Sequence, residues 1–320
     1  MSERKIRNVA IIAHVDHGKT TLVDQLLQQG GSFRDNEEVE ERVMDNDAIE
    51  KERGITILSK NTSINYKGYR VNIVDTPGHA DFGGQVERVL GTVDSVLLVV
   101  DAWEGPMAQT RFVTKKALER GIKPIVVINK IDRDGCRPER AHDMVFDLFC
   151  ELDATEAQLE FPYIFASGRA GTCRLSMEEE DTDLIPLLDM IIKEAPAPSG
   201  DDEAEPLLQI SSLEHSDFMG RLAVGRIEQG SLSIGQTVNH ATADGKNTKV
   251  RIQKIFRYEG IVNTPIEKAV CGDIISMAGF PTFDIGDTVS STDNPVELKR
   301  PKIDPPTISM TFTVNDSPLV

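Results

Sequence analysis

Ala13-His14-Val15-Asp16-His17-Gly18-Lys19-Thr20 stands between an apolar run at 9–12 and a helical pattern that begins at Thr21. A strand, a Gly-Lys-Thr loop and a helix, in that order, are the context a phosphate-binding loop requires. In such a loop, backbone N–H groups and the positive end of the helix dipole gather phosphate oxygens. Lys19 is expected to reach the β- and γ-phosphates and the Thr20 hydroxyl to bind Mg²⁺. Asp16, His17, Gly18 and Thr21 complete the loop around a nucleotide. The pattern departs from G-x-x-x-x-G-K-[ST] at one position, where Ala13 replaces the first glycine.

The chain has 320 residues, which suggests about two domains. Short apolar runs at 9–12, 71–74, 96–100, 125–128 and 163–166 read as parallel strands buried on both faces. Helical stripes separate them: Val23, Leu26 and Leu27; then Phe112, Val113, Ala117 and Leu118, stopped by Gly121; then Val145, Leu148, Phe149 and Leu152, with Pro138 suited to the first turn. Leu184, Leu187, Leu188, Ile191 and Ile192 form the last stripe. Repeated βα units predict a doubly wound α/β sheet. Thr62, Ile64 and Tyr66 alternate with polar residues before Lys67-Gly68, which predicts an antiparallel edge hairpin with the 71–74 run.

The stretch 195–206, rich in Ala, Pro and acidic residues, reads as a linker. Beyond it, short β-rich runs at 222–227, 237–240, 249–255 and 273–277 are separated by glycine turns, among them Asp244-Gly245. A small antiparallel β-barrel is the expected form. A second Pro-rich connector spans 299–306, and the alternating run 308–314 reads as the first strand of a further domain that is mostly absent.

No apolar run approaches the ~20 residues of a membrane-spanning helix, and the polar N-terminus has no signal-peptide character. These features predict a cytoplasmic protein with no membrane partner. Cys136, Cys150, Cys173 and Cys271 have no metal-ligand spacing and fit reduced thiols. The net charge of −17 argues against a protein that coats bare nucleic acid.

Asp75 ends the 71–74 run and opens Asp75-Thr76-Pro77-Gly78-His79. A carboxylate at that strand end lies beside the phosphate loop, in reach of Mg²⁺ or its waters. Gly78 can bring its N–H to the γ-phosphate. Asn129-Lys130-Ile131-Asp132 closes the 125–128 run. The Asp132 carboxylate can accept from guanine N1–H and N2–H₂, a donor pair adenine lacks. Asn129 is expected to fix loop and base, and the Lys130 stem to pack on the ring. Ser167-Gly168-Arg169 is placed to offer backbone N–H groups to the guanine O6. Arg53-Gly54-Ile55-Thr56-Ile57 lies in a long polar segment at 30–60, where Thr56 can add a hydroxyl to Mg²⁺ when a γ-phosphate holds the loop. The acidic run at 37–52 reads as a solvated face.

Together and in this order, these motifs resemble those of translation-factor GTPases, several of which carry Ala at the position of Ala13. Glu52 to Thr62, Ala102 to Ala117, Asn129 to Arg133, Gly225 to Gly230 and Val314 to Pro318 are most similar to the TypA/BipA family. The interval from Asp132 to Ser167 leaves no room for the large insertion of elongation factor G. Ser167-Gly168-Arg169 departs from the family's more usual Ser-Ala-Leu.

The resemblance implies an α/β P-loop GTPase domain over 1–200, an antiparallel β-barrel domain over 201–300, and a connector with the first strand of a further domain over 301–320. It implies GTP/GDP and Mg²⁺ as cofactors, with Asp16 near a monovalent cation. It implies that His79 orients the attacking water when ribosomal RNA positions it. The expected partner is the ribosome, through its rRNA, with tRNA contacts left to further domains and the chain itself a monomer. The expected role is ribosome-stimulated GTP hydrolysis in translation regulation, ribosome assembly and stress response. The alternatives are a GTP-sensing assembly factor in which hydrolysis is incidental, a factor of the LepA or elongation factor G group, and a tRNA-delivering factor.

Overall fold

The computed structural model describes residues 4–31, 59–77, 83–216, 219–300, 310, 311 and 313. Thr56, Gly78 and His79 lie outside the described residues, as do the acidic run at 37–52 and most of the 308–314 run.

Seven strands form the first sheet: β1 (Ile6–Ala13), β2 (Lys60–Tyr66), β3 (Tyr69–Asp75), β4 (Ser95–Asp101), β5 (Pro124–Asn129), β6 (Tyr163–Ser167) and β7 (Thr172–Arg174). Their order is β2-β3-β1-β4-β5-β6-β7. The five central strands are parallel, and β2 and β7 run antiparallel at the two edges. Every residue of β1, β4 and β5 is buried, as it must be where helices cover both faces.

Those helices are α1 (Lys19–Gln29), α2 (Gly83–Leu90), α3 (Ala108–Glu119), α4 (Pro138–Glu151), α5 (Glu156–Leu159) and α6 (Ile185–Glu194). Alternate strand residues choose the face. Ala10, Ile12, Val96 and Leu98 pack with Val86, Val113, Val145 and Phe149 of α2, α3 and α4. Val9, Ile11, Leu97 and Val99 pack with Leu22, Leu26, Leu187 and Ile191 of α1 and α6.

All five apolar runs are strands, and the Lys67-Gly68 turn has positive φ at both residues (49° and 75°), as a tight hairpin requires. Pro138 occupies the first turn of α4, and Gly121 ends α3 in the left-handed region at φ 75°. Among these strands and helices, three had no sequence signal: α2, whose stripe is only Val86, Val89 and Leu90; the single-turn α5; and the three-residue β7.

The remaining strands are β8 (Leu207–Ser216), β9 (Gly220–Gln229), β10 (Ser231–Ser233), β11 (Thr237–Ala241), β12 (Asn247–Arg251), β13 (Lys254–Glu259), β14 (Val262–Ile266), β15 (Lys268–Val270), β16 (Ile274–Ala278) and β17 (Thr288–Ser290). Eight of them make an antiparallel sheet, β12-β11-β17-β8-β9-β16-β13-β14, and β10 pairs with β15. Leu232 of β10 and Ala269 of β15 share one core with Ile210, Val238, Ile255 and Met277 of the larger sheet, so the two sheets enclose a single interior. The run at 249–255 proves to be two strands. The chain leaves β11 after Arg251 and takes β16 as its neighbour from Lys254, with the Gln253 N–H donating to the Ala278 carbonyl at the switch.

Residues 195–206 contain no helix or strand, yet the stretch is pinned: Arg4 Nη1 donates to the Pro198 carbonyl at 2.9 Å. The two halves also meet directly. Arg226 pairs with Asp94 at 2.8 Å, Arg70 pairs with Asp273, and Asn8 Nδ2 donates to the Gly272 carbonyl at 3.0 Å. Ser63 of β2 forms a β-bridge with Gly260, and its Oγ donates to the Tyr258 carbonyl at 2.7 Å. Away from the phosphate loop, a cavity of about 1010 Å³ opens between α2 and the second half, lined by Gln85, Arg88, Glu214 and Tyr258.

Candidate nucleotide site

Parallel register brings the motif residues to one edge of the sheet. Asp75 stands beside Ile11, Val99 beside Ala13, Asn129 beside Asp101 and Ala166 beside Asn129. Every loop with a sequence-predicted role among the described residues therefore leaves the carboxyl ends of the strands, where open α/β sheets bind ligands.

On the phosphate side, the loop closes through two left-handed residues, Asp16 at φ 64° and Gly18 at φ 87°. A Cβ on Gly18 would lie 2.5 Å from Asn129 Nδ2. Glycine is thus demanded twice, by backbone angle and by space. Lys19 is 8% exposed and its Nζ lies 2.5 Å from Asp75 Oδ1, while also donating to the Thr76 carbonyl. Thr76 Oγ1 donates to the Ile11 carbonyl at 2.6 Å and holds the β3 end against β1. Thr20 and Thr21 fall in the first turn of α1.

Asp75 is fully buried beside that turn. Among the described residues no group of three or more His, Cys, Asp or Glu side chains could hold a metal. A threonine hydroxyl, one carboxylate and phosphate oxygens are the hard, sparse donor set that suits Mg²⁺, which keeps several waters. The residues present fit that ion.

On the guanine side, Asn129 ties three segments together. Its Nδ2 donates to the His17 carbonyl at 2.8 Å, and its Oδ1 accepts from the Gly168 N–H at 2.8 Å. Ser167 Oγ donates to Asp132 Oδ1 at 2.7 Å, which aims an exposed carboxylate. Lys130 has φ 63°, and its Nζ donates to the Asp16 carbonyl. Of the Ser167-Gly168-Arg169 loop, the Gly168 N–H is engaged by Asn129 and the Arg169 side chain is exposed.

The burial of the His17 ring and the part played by Asp101 carried no sequence signal. The His17 ring is fully buried; its Nδ1 accepts from the Asp101 N–H at 3.3 Å and its Nε2 faces Glu104 at 3.5 Å. Burial, then neighbouring His14, push the His17 imidazole below its ordinary value, so it is neutral at physiological pH. Asp101 is buried as well. Burial pushes its carboxyl up, but the hydrogen bond and charge of Lys130 and the N–H groups of Trp103 and Glu104 outweigh it and hold the group low.

Residues 4–197 match the family model described as the elongation factor Tu GTP-binding domain. The chain belongs to that family. Elongation factor Tu domain 2 matches at 220–290. The matched model is that of a GTP-binding domain. It is 53% identical over 314 residues to the large ribosomal subunit assembly factor BipA of Bacillus subtilis, covering 98% of this chain and 51% of that one. It is 52% identical to the protein of the same name in Escherichia coli K12, covering 98% of this chain and 52% of that one. The chain spans about half the length of these curated relatives. Two solved structures share the family fold. Translation elongation factor SelB from Methanococcus maripaludis, in complex with the GTP analogue GppNHp, has a TM-score of 0.68 at 23% identity over 92% of this chain and 56% of that one. A Thermus thermophilus protein has a TM-score of 0.69 at 20% identity over 94% of this chain and 56% of that one.

Proposed function

We propose that this chain is the GTP-binding and GTP-hydrolysing part of a cytoplasmic, ribosome-associated factor that acts in large-subunit assembly and translation under stress. The observation that carries the reading is the Asn129 bridge. One side chain joins the phosphate loop, through the His17 carbonyl, to the base-reading loop, through Gly168. The similarity to assembly factors named BipA supports the ribosomal setting.

In this reading residues 1–200 form the GTPase domain, 201–300 the β-barrel domain, and 301–320 lead into a further domain. Asp16, His17, Gly18, Lys19, Thr20, Thr21 and Gly78 surround the phosphates. Thr20, Thr56 and Asp75 serve Mg²⁺, and Asp16 a monovalent cation. Asn129, Lys130, Asp132, Ser167, Gly168 and Arg169 surround the guanine. A bound γ-phosphate would compete with Asp75 for the Lys19 amine, which supports a carboxylate that turns to the metal in the triphosphate state. Mg²⁺ supplies charge neutralisation at the β- and γ-oxygens. His79 orients water, and without ribosomal RNA to hold it hydrolysis is slow, about 10⁻³ s⁻¹ or less for such folds.

The test measures GTP turnover of this chain and of a longer chain carrying the further domains, each with and without ribosomes. His79→Ala is expected to abolish the stimulation and keep nucleotide affinity. Normal ribosomal turnover in that variant removes His79 from the mechanism. Rescue of assembly by the same hydrolysis-dead variant would instead favour a GTP-sensing factor.

A further inference from the structure

Asp101 closes β4 directly beside Asn129 of β5, and no motif includes it. Its carboxylate is fully buried. Oδ1 accepts from the N–H of Trp103 at 2.7 Å and of Glu104 at 3.3 Å, and Oδ2 lies 2.8 Å from Lys130 Nζ and 3.6 Å from Arg133. Its own N–H donates to the His17 ring. One residue thus reaches both loops of the nucleotide site, the phosphate loop by its backbone and the guanine loop by its side chain.

The guanine loop needs such a hold. Lys130 and Asp16 are both non-glycine residues in the left-handed region, at φ 63° and 64°, which side chains adopt less readily than glycine does. Lys130 Nζ joins them by donating to the Asp16 carbonyl. A lysine ammonium on four rotatable bonds does not stay on one carbonyl unless a second partner fixes it. Asp101 is a buried anion, rigidly oriented by two backbone donors, and close enough for the ammonium to serve both partners at once.

We propose that Asp101 is a positioning residue for guanine-nucleotide binding: by anchoring Lys130 it clamps the base-reading loop to the phosphate loop and slows nucleotide release. The proposal rests on the guanine-nucleotide reading: failure of the unsubstituted chain to bind GDP would overturn both, whereas failure of the cycle below in a chain that binds GDP overturns this proposal alone.

The experiment is a double-mutant cycle on the full chain, with Asp101→Asn and Lys130→Met, read as the dissociation rate of a fluorescent GDP. The substitution at 101 keeps the backbone N–H to His17, so only the carboxylate is tested. Asp101→Asn is expected to speed release at least tenfold in the parent and less than threefold in the Lys130→Met background. It should leave the ratio of GDP to XDP affinity unchanged, because Asp132 reads the base. Trp103, the sole tryptophan, neighbours Asp101 and reports by its fluorescence whether that corner is folded. If the Asn amide unfolds it, Asp101→Ser takes its place in the same cycle. Release within twofold of the parent, or an equal factor in both backgrounds, overturns the proposal.

Discussion

The site depends on a few side chains whose replacement has calculable effects. Gly18→Ala puts a side chain into the left-handed region, at roughly 1–2 kcal/mol, and drives its Cβ to 2.5 Å from an Asn129 amide already engaged with His17. At about 1.4 kcal/mol per tenfold, GDP affinity is expected to fall at least tenfold, measured by titration calorimetry. Among the described residues, the placement of the motif residues was legible because each motif follows a strand of predictable type. Asp101 and the His17 ring were not, because their contact links residues 84 positions apart that become neighbours only once β1 and β4 are paired. The engagement of the Gly168 N–H was hidden for the same reason: it depends on Asn129 arriving from the adjacent strand.

Among elements, the fully buried strands announced themselves, since a strand covered on both faces must be continuously apolar. The elements that escaped have weaker physics behind them. α2 begins with two glycines, and its buried Glu87 is tolerated only because Lys116 of α3 reaches it at 2.6 Å. The outer half of β8, Ser211 to Ser216, borders the cavity between the halves and so lacks an apolar alternation. One amide side chain joins β5 to the loops after both β1 and β6. Asn129→Ala leaves the His17 carbonyl and the Gly168 N–H unpaired, at about 1–3 kcal/mol each. A drop of roughly 5–15 °C in melting temperature is expected, read by calorimetry, with nucleotide binding lost in parallel.

At the scale of the molecule, the two halves are joined by polar side chains scattered over both, and such contacts have no local signature. Glu214 is the most revealing. Its carboxyl accepts from Ser276 Oγ at 2.9 Å, from Tyr258 OH at 3.1 Å and from Asn263 Nδ2 at 3.5 Å, inside the cavity between the halves. Burial pushes it above the usual carboxylate range against those hydrogen bonds, and burial followed by the charge of Glu214 pushes the Tyr258 phenol up as well. A carboxyl that holds its proton more tightly folded than unfolded favours folding at low pH. That support is lost as the pH rises from its ordinary value through its raised one. Glu214→Gln, which cannot ionise, is therefore expected to lose less melting temperature than the parent between pH 4.5 and 7.5. Parallel curves for the two proteins would refute the assignment.

The bridge from Ser63 to Gly260 has a consequence for how this chain can be divided. β2 is the outermost strand of the first sheet, and its far side is met by the second half through the Ser63 N–H, the Ser63 hydroxyl and Thr62 Oγ1. A chain cut at residue 200 would present that strand with its backbone groups unsatisfied, together with Asp94 deprived of Arg226 and Arg70 deprived of Asp273. An unprotected strand of this kind templates pairing with other copies. Light scattering should rise for the severed first half at concentrations where the intact chain stays clear, and the second half added in trans should suppress it. The β domain is then a built-in guard against self-association as well as a neighbour.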